Sequence, residues 1–161
     1  MSAFIKIGDI VGECKDSQHD GWTDLASFSQ GMTKPGGGAT GQTRLRGDVI
    51  CDDFHCVKEL DKSSPKIAEA VCLGTIFPEV KVDITASVQG AGRATYYSYL
   101  MERVMVTNYQ LSGEGQSDKP PMENFSLNYE KITVTYHEVD SAGDEQGTIE
   151  FNFDVIAAQS A

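Results

Sequence analysis

This sequence predicts a mainly β chain with one short helix. Alternating apolar and polar residues recur over 80–86 and 148–155, helical spacing is confined to 64–73, and no βαβ rhythm appears. About six to eight mainly antiparallel strands result, closing as a barrel or sandwich with the helix packed against them. The chain has 161 residues and 40% hydrophobic content, so it is read as a single domain, 1–161, with enough apolar side chains for its own core.

Ile5 and Ile7, with Ile10 and Val11 after Gly8-Asp9, predict a first strand ending in a turn near Gly12. Residues 22–31 predict a second, with Leu25 and Phe28 as its buried positions. A third falls within 45–60, interrupted near Gly47 and Asp52-Asp53. Helix signals then converge: Ser64 as N-cap, Pro65 at the first helical position, Ile67, Ala70 and Val71 along one stripe, and Gly74 just past the end. Val80, Val82, Ile84 and Ala86 alternate with Lys81, Asp83 and Thr85, the pattern of a half-buried strand.

After a turn at 89–92, residues 95–111 are apolar on both faces, which predicts a central strand or one that meets a neighbouring subunit. Residues 112–121, rich in Gly, Ser and Pro, form a loop. Phe125, Leu127 and Tyr129 share one parity, and Ile132, Val134 and Tyr136 the other. A phase shift near Glu130-Lys131 is the trace of a β-bulge and a strongly curved sheet. Ile149, Phe151, Phe153 and Val155 alternate with Thr148, Glu150, Asn152 and Asp154 in the last strand.

The formal net charge of -11 argues against nucleic acid or an anionic membrane as a partner, since both require a basic footprint. No stretch reaches the roughly 18 apolar residues of a membrane span. Residues 1–6 lack the layout of a signal peptide, so folding in the cytoplasm is expected, with any export by a route that reads no N-terminal signal. Cys14, Cys51, Cys56 and Cys72 contain no C-x-x-C pair and are read as reduced core or surface residues. Cys51, His55 and Cys56 lack the spacing of structural zinc sites, and no metal is assigned.

The long glycine-rich segment 34–47 contains two apparent phosphate motifs. Gly36, Gly38 and Gly41 spell G-x-G-x-x-G, and residues 36–43 spell a P-loop with Gln42 in place of lysine. Either motif works by opening a helix whose free N–H groups hold phosphate, and the sequence after Thr43 has no helical stripe. No nucleotide or other cofactor is assigned. Among the histidines, His19 with Cys14 and Asp16 sketches a nucleophilic site, but a short turn does not position an activated nucleophile, and Asp16 and His19 are read as binding turn backbone. Trp22 is read as a core or interface residue. The abundant carboxylates single out no acid–base pair, and no enzyme activity is expected.

A more specific signal runs through most of the chain. Residues 4–19 (Phe4-Ile5-Lys6-Ile7-Gly8-Asp9-Ile10-Val11-Gly12-Glu13 and onward to His19), 25–32, the glycine-rich loop, 58–66 and 125–132 together resemble the haemolysin-coregulated protein (Hcp) family, the tail-tube subunits of type VI secretion systems. Cys14 stands where serine is usual, and Gln30 where an aromatic is common.

The resemblance implies an antiparallel two-sheet β-barrel with the 64–73 helix at its side. It also implies a homo-hexameric ring with a wide channel, and rings stacked into a tube driven outward by a contractile sheath. Spike and baseplate proteins are implied partners, together with small secreted effectors carried in the lumen. It places the protein in the cytoplasm during assembly and then outside the cell, with no membrane insertion. It assigns Lys34, Pro35, Gly36, Gly37, Gly38, Ala39, Thr40, Gly41, Gln42 and Thr43 to a loop that reaches a neighbouring subunit or ring. Independently, a connection that long inside a compact domain is usually a working part.

Ser29, and Ser27 on the same face, would look into the channel. Alternation alone fits a merely solvated strand face equally well. The short stretch after the last strand raises the expectation that no extra effector domain follows. A phage-type tail-tube subunit and a small-ligand-binding β-barrel are the other readings.

Overall fold

The computed structural model describes residues 1–35, 48–90 and 92–158. Its elements run β1 (Ser2–Ile7), β2 (Thr23–Leu25), β3 (Ser27–Ser29), β4 (Met32–Thr33), β5 (Ile50–Cys51), β6 (Phe54–Glu59), α1 (Ser64–Leu73), β7 (Ile76–Val88), β8 (Gly92–Ser112), β9 (Met122–Asn128), β10 (Lys131–Val139) and β11 (Glu145–Asp154). The pairings among them are antiparallel. The mainly β class with one helix at 64–73 is therefore borne out.

Nine strands form one sheet whose main path is β2-β1-β7-β8-β9-β6-β3, with β10 and β11 branching from β8, while β4 and β5 make a separate two-stranded ribbon. The ends of the main path, β2 and β3, are consecutive in sequence and separated by Ala26, whose N–H donates to Val57 O at 2.8 Å. The sheet thus curls until its two ends meet on one bent segment, although β2 and β3 do not pair with each other. This bend also corrects the single strand expected over 22–31. Leu25 and Phe28 have opposite parity, and the kink lets both turn inward: Leu25 is buried, and Phe28, half-buried, stacks on Phe54 at 5.8 Å.

β1 ends at Ile7, short of the turn expected near Gly12. Ile10 N–H donates back to Ile7 O at 2.9 Å, so the chain reverses at Gly8-Asp9, where Gly8 takes φ 48°. The residue there must be glycine twice over, because a Cβ would also lie 2.7 Å from the Phe77 ring.

The helix spans the expected residues, but its start differs by one: Ser63 is the N-cap, without a side-chain capping bond, and Ser64 and Pro65 open the helix. Ser64 Oγ is engaged elsewhere, accepting from Asp61 N–H at 3.1 Å and donating to Glu123 Oε1 at 2.9 Å. Gly74 closes the helix in the left-handed region at φ 62°. Ile67 and Ala70 are buried, and full burial of an isoleucine contributes about 1.5–3 kcal/mol.

β8 is the organising strand. One edge pairs with β7, and the other with β10 over Tyr97 to Glu102 and then with β9 from Met105 onward. The phase shift expected near Glu130-Lys131 is where β9 ends and β10 begins, so it is a break between two strands rather than a bulge inside one. The opposing irregularity is Arg103, held at φ 52°, a region costly for any residue with a Cβ. Its Nε donates to Glu130 Oε2 at 2.5 Å, and Glu130 O accepts from Val155 N–H at 2.8 Å. The parity change keeps Phe125, Leu127, Tyr129 and then Ile132 all in the core. Packed against them, Val80, Val82, Met101 and Val104 are fully enclosed, so the inside of the curled sheet, which stays open where a closed two-sheet barrel was expected, is filled by side chains.

Candidate functional site

Ser27 and Ser29 lie on β3 with the alternation expected of them, both exposed while Phe28 turns inward. Register extends their face across three more strands. Ser29 pairs with His55, His55 with Ser126 and Ser126 with Asn108; Ser27 pairs with Val57, Val57 with Asn124 and Asn124 with Gln110. The intervening row, Phe28, Cys56, Phe125 and Tyr109, faces the core. Because side chains alternate across a strand, one face becomes a wall of hydroxyls, one imidazole and carboxamides, interrupted by Val57 and with Ser126 buried beneath its neighbours. Sequence reasoning found the serines and missed His55, Asn108, Gln110, Asn124 and Ser126. These come from distant segments, and only the register places them in the same rows.

The wall is ordered from within. His55 Nδ1 bonds Ser126 Oγ at 2.8 Å. Asp53 receives Thr107 Oγ1–H at 2.8 Å and Asn128 Nδ2–H at 3.0 Å. Gln30, the departure from the family pattern, is half-buried: its Nε2 donates to Tyr129 OH at 3.0 Å and to Gly31 O at 2.9 Å, and Tyr129 OH donates to Asp52 O at 3.0 Å. Gln30 thus ties the end of the wall to the core. Burial pushes the Tyr129 phenol up to about 12, so it stays protonated as that donor. At Gly31 a Cβ would meet Asp52 Oδ2 at 2.7 Å, so a larger residue there would displace the Asp52 side chain.

The segment assigned to subunit contact begins at Lys34 and Pro35, which are exposed; Gly36, Gly37, Gly38, Ala39, Thr40, Gly41, Gln42 and Thr43 lie outside the described residues. Its root is well defined. Met32 pairs with Cys51 and Thr33 with Ile50, so the chain leaves and returns through the same two-stranded ribbon.

The helix sits on a buried polar lattice. Lys58, on the core face of β6, pairs across the strand with Glu123, and both are fully buried. Lys58 Nζ contacts Glu123 Oε1 and donates to Asp61 Oδ1 at 2.7 Å, to Glu59 O at 2.9 Å and to Ser64 Oγ at 3.1 Å. Tyr109 OH completes the set by donating to Glu123 Oε2 at 2.7 Å. Burial, and then that carboxylate, push the Tyr109 phenol to about 12. The alternation Phe54, Cys56, Lys58 carries the sequence signal for this inward lysine, although the lysine's own polarity masks it.

His19 has a structural setting. Its Nδ1 faces Asp16 Oδ2 at 2.8 Å and its Nε2 faces Asp83 Oδ2 at 3.0 Å, with Phe4 stacked on the ring at 4.4 Å and Trp22 edge-on at 4.9 Å. Asp16 binds turn backbone as expected, accepting from Gln18 N–H at 3.3 Å, but the His19 ring does not, since both its nitrogens face carboxylates. The clamp to β7 through Asp83 is a long-range contact that no local pattern announces. Cys14 is buried nearby, and burial raises its thiol above the ordinary value, so it is not an activated nucleophile. Cys51 and Cys56 are shifted upward by burial too.

The family model described as "Type VI secretion system effector, Hcp" matches residues 4–136, most of the chain. The chain belongs to the Hcp family. Protein hcp1 of Pseudomonas aeruginosa is 31% identical over 147 residues, covering 91% of this chain and 90% of that protein. A solved structure described as a type six secretion system protein superposes with a TM-score of 0.90 at 24% identity, covering 99% of both chains. Hcp1 from Salmonella typhimurium superposes at 0.76 with 18% identity, covering 99% of this chain and 98% of that one. At those identities the two structures speak for the fold. Family membership makes this Hcp a secreted, structural protein of type VI secretion rather than a member of an enzyme family. No helix among the described residues is long and apolar enough to cross a membrane.

Proposed function

We propose that this Hcp protein is the structural subunit of the inner tube: six copies form a ring, rings stack, and the tube is expelled by a sheath acting with spike and baseplate proteins. The lumen holds small effectors against the Ser27 and Ser29 wall, and the protein leaves the cell with them. The observation that carries this reading is the polar wall itself. Four strands from separate parts of the chain present hydroxyls and carboxamides in register on one face, with Val57 the apolar exception in those rows, while Phe28, Phe54, Cys56, Phe125, Leu127 and Tyr109 turn inward. Such a face is suited to line a water-filled passage, and its hydrogen-bonding groups to hold a folded guest reversibly. The paired root of the 34–47 segment also supports a role for that excursion in contact between copies.

The test is absolute mass by light scattering on a sizing column, with negative-stain images of the same peak. A hexamer with ring-shaped particles is expected, and a monomer across a wide concentration range overturns the proposal. For the lumen, Ser29→Arg should leave rings intact while abolishing co-purification of effector; unchanged effector recovery would remove Ser29 from the cargo surface.

A further inference from the structure

Where the chain crosses from the curled sheet to the β4–β5 ribbon, the ladder is interrupted. β3 and β6 pair as far as Ser29 with His55, and β4 and β5 begin again at Met32 with Cys51. Between those pairs lie Gln30 and Gly31 on the outgoing strand, but Asp52, Asp53 and Phe54 on the returning one. The extra residue breaks the register as a β-bulge does, and the ribbon becomes a sheet of its own. A two-stranded ribbon has little stability by itself. This one also has little packing: Met32, Thr33 and Ile50 are exposed, and of the four paired residues Cys51 alone packs against the core.

The angle of the ribbon therefore rests on the hydrogen bonds at the crossing. On the returning strand two consecutive residues are pinned: Asp52 O accepts from Tyr129 OH at 3.0 Å, and the Asp53 carboxylate accepts from Thr107 Oγ1–H at 2.8 Å and Asn128 Nδ2–H at 3.0 Å. On the outgoing strand the side-chain tie among the described residues is Gln30. Its Nε2 donates to Tyr129 OH at 3.0 Å and to Gly31 O at 2.9 Å, and Gly31 O also accepts from Asp52 N–H at 2.9 Å. Both N–H donors of the carboxamide are thus in use. Tyr129 is 4% exposed, so the point to which the two strands are tied belongs to the core.

We infer that Gln30 is a positioning residue for ring stacking: its carboxamide, acting through Tyr129, sets the angle at which the ribbon, and with it the 34–47 segment, leaves the barrel. This rests on the tube-subunit reading and assigns a residue within it. An arm that meets another copy gives up orientational freedom on contact, and a root already held in one direction lowers that cost. Loss of the Gln30 donors therefore weakens stacking and leaves the barrel, and the ring it closes into, intact.

Three variants test this. Gln30→Met keeps the length of the side chain and removes both donors, Gln30→Glu keeps its shape and sets a carboxylate beside Asp52 and Asp53, and Tyr129→Phe removes the hydroxyl that both strands share. Each should retain hexamer mass by light scattering. Amide exchange across the ribbon, at Met32–Thr33 and Ile50–Cys51, should be roughly tenfold faster, as for the loss of one hydrogen bond, with exchange in β7 and β8 unchanged. The protein concentration at which rings stack, followed by sedimentation and negative stain, should rise roughly tenfold in Gln30→Met and further in Gln30→Glu. Combining Gln30→Met with Tyr129→Phe should fall well short of the product of the two separate fold-changes, because the residues act in one chain of bonds.

If wild-type rings stack and Gln30→Met rings stack at the same concentration, this inference is wrong and the tube reading stands. Faster ribbon exchange without a stacking defect overturns it too, as does a double variant whose effects multiply. Loss of hexamer mass in Gln30→Met and Tyr129→Phe would put these residues in the ring contact instead, which equally overturns it. Wild-type protein that never forms rings, or rings that never stack, overturns the tube reading and this inference together.

Discussion

The foot of α1 and the outer end of the β10–β11 hairpin are opposites. Beneath α1 the most polar groups of the chain, Lys58 and Glu123, are fully buried and each is met by hydrogen bonds from its own chain. At the hairpin, apolar Ile149, Phe151 and Tyr136 face solvent with no cover. The first region is closed within one copy, and the second is left partly exposed. Damage to the lattice should therefore act on folding, and damage to the hairpin on assembly.

The largest effect is expected from separating the buried pair. Lys58→Ala leaves Glu123 buried without its counter-charge, held by Ser64 and Tyr109 alone, and should cost about 3–5 kcal/mol of unfolding free energy in urea titrations. Lys58→Met combined with Glu123→Leu should lose much less, since it removes both charges together. A double variant as damaged as the single one would mean that packing around the lattice, not the charge pair, is what matters. Phe151→Asp is the counterpart at the hairpin. With Phe151 about half buried and stacked on Phe153, monomer stability should fall by only about 1 kcal/mol while the assembled fraction collapses, read by denaturation and sizing on the same sample.

A smaller effect is expected at the strand break. With Arg103 at φ 52°, Arg103→Val should be less stable than Arg103→Gly by about 1–2 kcal/mol. Both lose the bond to Glu130, so the difference isolates the backbone.

The smallest change is a pH dependence. The hydrogen bond from His19, followed by smaller contributions, holds the Asp16 carboxyl below its ordinary value against the opposing effect of burial. Burial alone would raise Asp61, but the bonds from Lys58 and Ser63 outweigh it and hold that carboxyl down as well. A lowered folded pKa means that the unfolded chain takes up protons first. The stabilisation is then complete above the ordinary value of 3.8 and is lost as pH falls through the lower folded values. Melting temperature should be flat down to about pH 4 and decline below it, more gently in Asp61→Asn. A decline beginning well above pH 4 would mean that groups other than Asp16 and Asp61 set it.

Most strands were legible because alternation reports directly on a sheet with one buried face, as over 80–86, where every expected inward residue but Ala86 is buried. The helix was legible because Pro65, the Ile67 stripe and Gly74 agree. The bend at Ala26 and the break at Arg103 were not, since each depends on which distant strand takes up the hydrogen bonds. Of the candidate wall, Ser27 and Ser29 could be picked out from their own segment, but His55, Asn108 and Asn124 could not.

The sequence by itself determined the mainly β class, the place of the helix and the family, because each is written in local spacing or in motifs that run along the chain. The tertiary structure alone decided which polar residues stand in one wall, that Lys58 and Glu123 share a burial site, and that the core face of the last hairpin is left bare. Those facts depend on register and on where the barrel ends, and both are settled only when segments far apart in the chain pack together.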